Sequence, residues 1–349
     1  MRQSSIKNDN DNNEQEVPKK KKSIAKEEVS LITKIEESEK ALRPKTINEY
    51  VGQSNLKSQL NLILTSCKIR KVMPEHMLFY GPAGLGKTTI SNLIAQEVGA
   101  NFRAITASSL QKVGDIVALL SNLEENSILF IDEIHRLKGP LEESLYSAME
   151  DQKIDILIGK GNGSTTLRLD LPNITIIGAT TMVGRLSKPL RDRFPSIFQL
   201  ELYSHEEMEQ LILDNCAKIK LVIDNQATEL IAKRSRGTPR IANNILKRFL
   251  DLQLVMAKPV LDIDDIDNFF GTIGIYQKGL TKSDIKYMTS LRDTQLSLKT
   301  LSGILMEETD TIEQVIEPYL LYLGFVDKDS NGRRLTPKGL QFITTTSIN

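Results

Sequence analysis

The stretch MLFYGPAGLGKTTISNLIA, residues 77–95, decides the fold of this chain. It begins as a short apolar run, breaks at glycines and continues with a helical pattern. Residues 81–88 fit G-x-x-x-x-G-K-[ST], and they follow a predicted strand and precede a predicted helix, where phosphate binding needs them. Glycines let backbone N–H groups close around phosphate oxygens, and the helix N-terminus adds a favourable dipole. The stretch therefore predicts a nucleotide site, with Lys87 on the β and γ phosphates and Thr88 on Mg²⁺.

Two further apolar runs resemble the one before the glycines. HMLFYG, SILFIDE and ITIIGATT are short, end in Gly, Asp/Glu or Thr, and are separated by longer helical patterns. Runs of this length, buried on both faces and alternating with helices, indicate a parallel sheet of the α/β class.

The second run ends in two acidic residues, Asp132 and Glu133, 45 residues after Lys87. At the carboxyl edge of a parallel sheet, acidic side chains can reach a metal bound to the nucleotide. We expect Asp132 to hold Mg²⁺ and Glu133 to orient and deprotonate the attacking water. Taken alone, an apolar run ending in these residues also fits an ordinary strand end, and the P-loop decides in favour of a hydrolase.

The third run ends in Thr180 and Thr181, which could help to position the lytic water beside the acidic strand end. The segment PLRDRF follows closely, and a phosphoryl-transfer transition state gains from an arginine such as Arg191 or Arg193. The alternative for these arginines is a surface ion pair with Asp192.

The segment RGTPRIANNIL predicts a helix with Thr238 as N-cap, Pro239 as its first residue and Arg240 in its first turn. A cation there opposes the helix dipole and needs a compensating anion. A nucleotide γ-phosphate would provide one, so we interpret Arg240 as a sensor of nucleotide state. The alternative is a tolerated surface arginine.

Composition limits the remaining possibilities. The chain has 349 residues, two cysteines, three histidines and a formal net charge of +0. The cysteines are interpreted as core residues, and the scattered histidines suggest neither a metal cluster nor a Ser/His/Asp site. No apolar run is long enough for a membrane helix, so we expect a cytoplasmic protein, and any DNA contact must be local.

Four segments are predicted along the chain. Residues 1–38 are a polar, disordered tail and residues 39–202 a large ATPase domain. Residues 203–273 show only helical periodicity and form a lid. Residues 276–349 contain helical segments, a bend or break at Pro318, and a hairpin turn at Asn331-Gly332, which together favour a winged helix.

Eight blocks, in a fixed order, carry a resemblance to a known family. They are ALRPKTINEYVGQ, GPAGLGKTT, FIDEIHRL, YSAMED, IGATT, PLRDRF, RGTPRIAN and IEPYLLYLGF. Their order is similar to that of AAA+ ATPases. YSAMED, RGTPRIAN and EPYLLYLGF go beyond generic AAA+ features, and residues 40–343 resemble the RuvB family of Holliday junction branch-migration motors. The resemblance implies an AAA+ P-loop parallel-sheet ATPase domain, an all-α lid domain and a C-terminal winged-helix domain.

The resemblance also implies residue roles. Leu42 and Arg43 match the family's N-terminal nucleotide contacts, and Tyr203 would close the base pocket from the lid. Arg193 matches an arginine finger acting on the ATP of the neighbouring subunit, which implies a homohexameric ring, and Arg240 matches the sensor arginine. The other nucleotide contacts would be Gly84, Gly86, Lys87, Thr88, Thr89, Glu150, Asp151 and Gln152.

Two further segments would meet partners. Residues 154–172 alternate as two strands around a Gly-rich turn, with Ile154, Ile156 and Ile158 along the first strand. In the family this hairpin engages RuvA. Lys328 and Arg333 match the wing arginines that contact DNA. From residue 331 onward the sequence has three basic residues, Arg333, Arg334 and Lys338, and no acidic one, which predicts a local basic patch.

The implied activity is ATP hydrolysis that drives duplex DNA arms through a Holliday junction in recombination and repair, with RuvA and the resolvase RuvC as partners and no membrane association. This sequence departs from the family pattern at Met182, Pro195 and Lys328; Lys328 keeps a charge but loses the planar fork of arginine. A clamp loader or replication initiator would lack the hairpin and winged helix together. A winged-helix transcription regulator would use nucleotide only as a switch, whereas Glu133 with Arg193 favours turnover.

Overall fold

The computed structural model describes residues 41–158 and 165–345. The chain divides into two compact units, Met1–Arg43 and Pro44–Asn349. Of the first unit, residues 41–43 are described, with Leu42 buried and Arg43 exposed. The predicted tail and the Gly-rich tip of the hairpin lie outside the described residues.

A five-stranded parallel sheet lies at the centre of the second unit. Its strands are β1 (Met77–Tyr80), β2 (Asn101–Thr106), β3 (Ser127–Asp132), β6 (Ile174–Thr180) and β7 (Ser196–Gln199), and β4 (Lys153–Ile158) and β5 (Thr165–Asp170) form a separate antiparallel hairpin. The strand order is β2-β3-β6-β1-β7. The three predicted apolar runs are confirmed as β1, β3 and β6. Because β6 lies between β1 and β3, the P-loop, acidic and threonine strand ends meet at one edge.

Helices cover both faces of this sheet. They are α1 (Ser54–Arg70), α2 (Lys87–Val98), α3 (Val113–Ser121), α4 (Gly139–Asp151) and α5 (Lys188–Asp192). Alternate residues of a strand point to opposite faces, so Phe79 and Phe130 join one core with α1 and α2, while Leu78 and Leu129 join another with α3 and α4. Because the faces of its central strands are covered, a parallel sheet of this kind places its functional groups at the carboxyl ends of the strands.

The lid consists of α6 (His205–Ile219), α7 (Asn225–Arg234), α8 (Pro239–Met256) and α9 (Ile263–Thr272). The predicted helical segment is confirmed. A reciprocal cap between Ser204 and Glu207 begins α6, and Thr238 with Pro239 begins α8 as predicted. The Thr238 hydroxyl donates to the carbonyl of Arg236 instead of accepting from the helix.

The C-terminal part is a winged helix, as predicted. Its elements are α10 (Lys282–Ser290), α11 (Leu298–Leu305), α12 (Thr309–Thr311), α13 (Glu317–Tyr322), strands β8 (Val326–Asp329) and β9 (Gly332–Leu335), and α14 (Pro337–Thr345). A π-helical turn, Ile312–Ile316, joins α12 to α13. Pro318 has no N–H to donate to the previous turn, and the wider turn accommodates it.

Arg236 connects the lid to this winged helix. Its guanidinium forms an ion pair with the carboxylate of Asp284, which is 2% exposed, and donates to the carbonyl of Gly279 at 2.7 Å. The same guanidinium lies 4.6 Å from the ring centroid of Tyr319. The segment that begins α8 therefore contacts the winged helix through Arg236 and the P-loop through Arg240.

Two composition-based expectations can be compared with the structure. Cys67 and Cys216 are both buried, which confirms them as core residues, and burial raises the pKa of Cys216 to about 12. Within the described ranges, none of the helices combines the length and the apolar character needed to cross a lipid bilayer.

Candidate functional site

The glycine loop lies between β1 and α2, as the sequence predicts. Gly84 and Gly86 have φ angles of 83° and 95°, which favour glycine. A Cβ at Gly84 would lie 2.8 Å from a Thr238 side-chain atom and 3.0 Å from the Cβ of Arg240. The loop is thus closely packed under the lid and presents backbone rather than side chains, as a phosphate site requires.

Lys87 lies in the first turn of α2 and is buried. Its Nζ donates to the carbonyl oxygens of Gly81 at 2.8 Å and Pro82 at 2.9 Å. Burial lowers the pKa of Lys87, while the charges of Glu133 and Asp132 raise it in opposition. Lys87 therefore lies at the same edge as the acidic strand end. Thr88 is exposed and Thr89 partly exposed in the following positions.

The acidic strand end is held in an unusual conformation. Glu133 has φ 48°, and its N–H donates to a carboxylate oxygen of Asp132 at 3.0 Å. The carboxylate of Glu133 accepts from the Thr181 N–H at 3.3 Å and from the Thr181 hydroxyl at 3.1 Å. Thr181 thus touches the proposed general base directly, in line with its predicted neighbourhood.

A residue that sequence reasoning passed over completes this cluster. His135 lies in a 3-10 turn, Ile134–Arg136, and its side chain is 6% exposed. Its Nδ1 lies 2.8 Å from the hydroxyl oxygen of Thr180 and 3.1 Å from Glu133 Oε2. Burial, the largest influence, lowers the pKa of His135. Its position two residues after Glu133 could have indicated this role. The three histidines are widely separated in the sequence, which gave no reason to consider one of them alone.

The lid reaches the loop through the start of α8. The Arg240 N–H donates to the carbonyl of Gly84 at 3.3 Å, and the Arg240 side chain is exposed. Its charge is close enough to Lys87 to lower the pKa of that lysine. The structure therefore brings Arg240 to the P-loop, as its predicted role as sensor requires.

Tyr203 is buried where the lid begins, and its N–H donates to the carbonyl of Gly237 at 2.9 Å. Tyr50, which the sequence reasoning did not single out, lies beneath the loop. Its hydroxyl donates to the carbonyl of Leu85 at 2.8 Å, and it is 2.7 Å from the position of a Cβ on Gly86. Burial raises the pKa of Tyr50 to about 12, so the hydroxyl remains a donor.

The Arg193 side chain packs against the C-terminal half of α4. Its guanidinium donates to Glu150 Oε2 at 2.8 Å and to the Pro189 carbonyl at 3.0 Å, and it lies 4.6 Å from the centroid of the Tyr146 ring. In the part of the chain that the structure describes, its contacts do not reach the P-loop, and its buried Nε has no hydrogen-bond partner.

The two residues after Glu150 are directed elsewhere. Asp151 is exposed at the end of α4, and Gln152 donates its side-chain amide to Asn173 Oδ1 at 3.1 Å. Leu42 and Arg43 belong to the other compact unit. The assignment of all these residues to a nucleotide remains a prediction.

The β4–β5 hairpin confirms the predicted pair of strands but corrects the assignment of Ile154. That residue is 0% exposed and packs in the core with α4, because it lies at the base of the hairpin. It is therefore not on a partner-facing surface in this chain. The predictions for Ile156 and Ile158 concern side chains that lie outside the described residues.

The wing, defined as the β8–β9 hairpin, carries its two predicted cations in an ion-pair cluster. Lys328 Nζ lies 2.7 Å from Glu313 Oε1, and the Arg333 guanidinium lies 2.7 Å from Glu317 Oε1 and 2.8 Å from Glu313 Oε1. Arg333 is 7% exposed and Glu317 is 1% exposed. The sequence predicts a surface patch formed by Arg333, Arg334 and Lys338. This prediction is wrong for Arg333, which is buried, whereas its neighbour Arg334 is exposed.

The geometry at the sheet edge fits a nucleotide and its metal. The glycine loop presents backbone rather than side chains, and a lysine and an arginine approach it from α2 and α8. An acidic pair lies beside them, as a magnesium-dependent hydrolase requires. ATP and Mg²⁺ are thus compatible with the residues present.

Comparison with known proteins agrees with this geometry. Family models match residues 42–200 as the Holliday junction DNA helicase RuvB P-loop domain, residues 203–273 as the RuvB AAA lid domain and residues 277–344 as the RuvB C-terminal winged helix domain. A relative from Campylobacter hominis, named Holliday junction branch migration complex subunit RuvB, is 42% identical over 311 residues, which cover 88% of this chain and 92% of the relative.

A second relative of the same name, from Clostridium kluyveri, is 43% identical over 301 residues, which cover 85% of this chain and 86% of the relative. Among solved structures, the Thermotoga maritima RuvB Holliday junction branch migration motor is similar with a TM-score of 0.78 and 38% identity, covering 87% of this chain and 98% of that one. This chain belongs to the RuvB family.

Proposed function

We propose that this chain is the ATP-hydrolysing motor of a branch-migration complex, which drives duplex arms through a Holliday junction in homologous recombination and DNA repair. The observation that carries the proposal is the meeting of Lys87, Asp132, Glu133 and Thr181 at one sheet edge in a RuvB-family chain. A simple nucleotide binder has no need of a carboxylate held in this position.

The residues divide the chemistry among them. Backbone N–H groups of the loop, with Lys87, would hold the β and γ phosphates, and Thr88 and Asp132 would hold Mg²⁺, which neutralises charge on the phosphates. Glu133, oriented by Thr181, would accept a proton from the attacking water. Arg240 would meet the γ-phosphate from the lid. Gly84, Gly86 and Thr89 would line the phosphates, with Leu42, Arg43 and Tyr203 around the base.

Arg193 is assigned to the ATP of a neighbouring subunit. Its position beside Glu150 supports this, because its contacts among the described residues are with α4 and α5 and not with the loop of its own chain. Such a head-to-tail arrangement closes into a ring, and we propose a homohexamer. Glu150, Asp151 and Gln152 would lie near the nucleotide.

DNA contact is assigned to the wing. Translocation requires contacts that tolerate any sequence, and phosphate contacts provide them. Lys328 and Arg333 would take this role once phosphate oxygens replace Glu313, which is their more exposed partner. Glu317 would stay with Arg333, because both side chains are buried.

The remaining assignments follow from this role. The hairpin beyond Ile154, with Ile156 and Ile158, would engage RuvA, and the RuvC resolvase would act on the same junction. The segments 39–202, 203–273 and 276–349 would act as motor, lid and DNA-binding head, with residues 1–38 as a tail. We place the protein in the cytoplasm.

A synthetic mobile four-way junction tests the proposal. With RuvA, ATP and Mg²⁺, wild type should convert the junction to duplex products while it hydrolyses ATP. Glu133→Gln keeps the shape of the side chain but cannot accept a proton, and should lower hydrolysis by about a hundredfold or more. Conversion of the junction to duplex products should stop in the same variant.

Glu143→Gln is the matched control, because Glu143 is an exposed residue of α4. It should behave as wild type. The proposal fails if wild type does not convert the junction, or converts it without consuming ATP.

A further inference from the structure

His135 is the ionisable side chain that lies between the acidic and threonine strand ends, and the roles above do not use it. It is nearly buried, and its Nδ1 faces two oxygens: Thr180 Oγ1 at 2.8 Å and Glu133 Oε2 at 3.1 Å.

Hydrogen-bond accounting selects one tautomer. An unprotonated Nδ1 at 3.1 Å from Glu133 Oε2 would set its lone pair against those of an ionised carboxylate, so Nδ1 carries the proton. The Thr180 hydroxyl oxygen already accepts from the Met182 N–H at 2.9 Å and has a second acceptor site for the same ring proton. The arrangement therefore assigns an Nδ1–H that donates to Thr180 Oγ1 and lies beside the carboxylate of Glu133.

The carboxylate of Glu133 is consequently held by two elements. Thr181 donates to it from the end of β6, through its N–H and its hydroxyl, and the His135 Nδ1–H lies 3.1 Å from it, in the 3-10 turn that follows Glu133 itself. Glutamate has large rotamer freedom, and its backbone is already in the left-handed region at φ 48°. Loss of either contact would let the carboxylate sample other rotamers.

We propose that His135 is a positioning residue for ATP hydrolysis: its Nδ1–H fixes the carboxylate of Glu133 and ties it to Thr180 at the end of β6. This inference rests on the proposed function, because it assumes that Glu133 is the general base. It does not require that His135 touch the nucleotide.

Asparagine and glutamine form a matched pair of tests. An asparagine amide can place N–H at the position of Nδ1, whereas a glutamine amide reaches only the position of Nε2. His135→Gln should lower kcat for ATP about ten- to a hundredfold, the loss expected from misplacing a reacting group by about 1 Å. KM for ATP should stay within about threefold, because the phosphate contacts are unchanged. His135→Asn should retain most of kcat.

NMR of the ring nitrogens gives a readout that does not depend on activity. Three histidines are present, at positions 76, 135 and 205, so the ring signals can be assigned by substitution. In the full chain without nucleotide, His135 should show a protonated Nδ1 and an unprotonated Nε2. The thermal midpoint of each variant reports whether it is folded.

Equal kcat values for the Asn and Gln variants, whether both high or both low, would overturn the inference, as would an Nε2–H tautomer in wild type. If wild type hydrolyses ATP and the two variants match, only this inference fails. If wild type does not hydrolyse ATP, both the inference and the proposed function are overturned.

Discussion

At the scale of single residues, the site uses few side chains but holds each of them from more than one direction. Lys87 donates to two carbonyls of the loop, and Glu133 accepts from Thr181 and lies beside His135. Preorganised groups of this kind need little rearrangement during the reaction. The left-handed backbone at Glu133 is tolerated because these neighbours fix the side chain that it directs.

A second buried histidine gives a prediction about pH. His76 Nδ1 accepts from the Ile176 N–H at 2.9 Å, so its Nε2 carries the proton and faces the Met149 carbonyl at 3.2 Å. Burial is the main reason that the pKa of His76 is lowered from 6.5. The contribution of neutral His76 to the free energy of unfolding is therefore complete above pH 6.5. It is lost as pH falls from 6.5 toward the lower pKa of the folded state.

His76→Asn should leave the Ile176 N–H or the Met149 carbonyl without a hydrogen bond. We expect it to lower the free energy of unfolding by about 1–3 kcal/mol at pH 7.5. At pH 5.5 the difference from wild type should be smaller, because only wild type loses stability through this histidine. Urea unfolding at both pH values measures it. A difference that is the same at pH 5.5 and 7.5 contradicts the account.

At the scale of elements, the decisive contact is that of the glycine loop with the N-terminus of α8. Gly84 lies so close to Thr238 and Arg240 that a side chain there would push the lid away. Arg236, near the same end of α8, reaches Asp284 in the winged helix. One short segment of the lid therefore touches both the ATPase loop and the head.

Gly84→Ala tests this contact against Gly99→Ala. Both glycines have positive φ, 83° and 68°, but a Cβ on Gly99 would meet nothing within 4 Å. Both variants should lose about 1–2 kcal/mol of stability from the left-handed backbone. ATP affinity, measured by titration calorimetry, should fall about tenfold or more in Gly84→Ala and stay near wild type in Gly99→Ala. Equal affinities in the two variants would show that the loop tolerates a side chain under the lid.

At the scale of the whole molecule, the sequence predicts the parts that repeat a strong local pattern. The P-loop spacing and three fully apolar runs predict β1, β3, β6 and their common edge, and Asn331-Gly332 predicts the wing. The two outer strands of the sheet, β2 and β7, were not identified, because they are largely exposed and mix polar with apolar residues.

Features that depend on contacts between distant segments were not accessible to sequence reasoning. His135 meets Thr180 across 45 positions, and Tyr50 meets Leu85 across 35. Arg333 is basic in the sequence but buried in the structure, because Glu317 from another element compensates its charge. Ile154 alternates like its neighbours on the strand but packs on α4. In each case tertiary packing, and not local pattern, decides the role.

The central claim is that two copies of this chain complete one ATP site. In rings mixed from Arg193→Ala and Glu133→Gln subunits, an Arg193→Ala subunit keeps its own Glu133 and receives the finger of a Glu133→Gln neighbour. At equal mixing such pairs form at about a quarter of the interfaces of a head-to-tail ring.

Steady-state ATP hydrolysis of the mixture, in the presence of RuvA and junction DNA, measures the claim. We predict that each variant alone is nearly inactive and that the mixture recovers up to about a quarter of the wild-type rate. A mixture no more active than the sum of the two variants, in rings of the same size, would contradict a site shared between subunits.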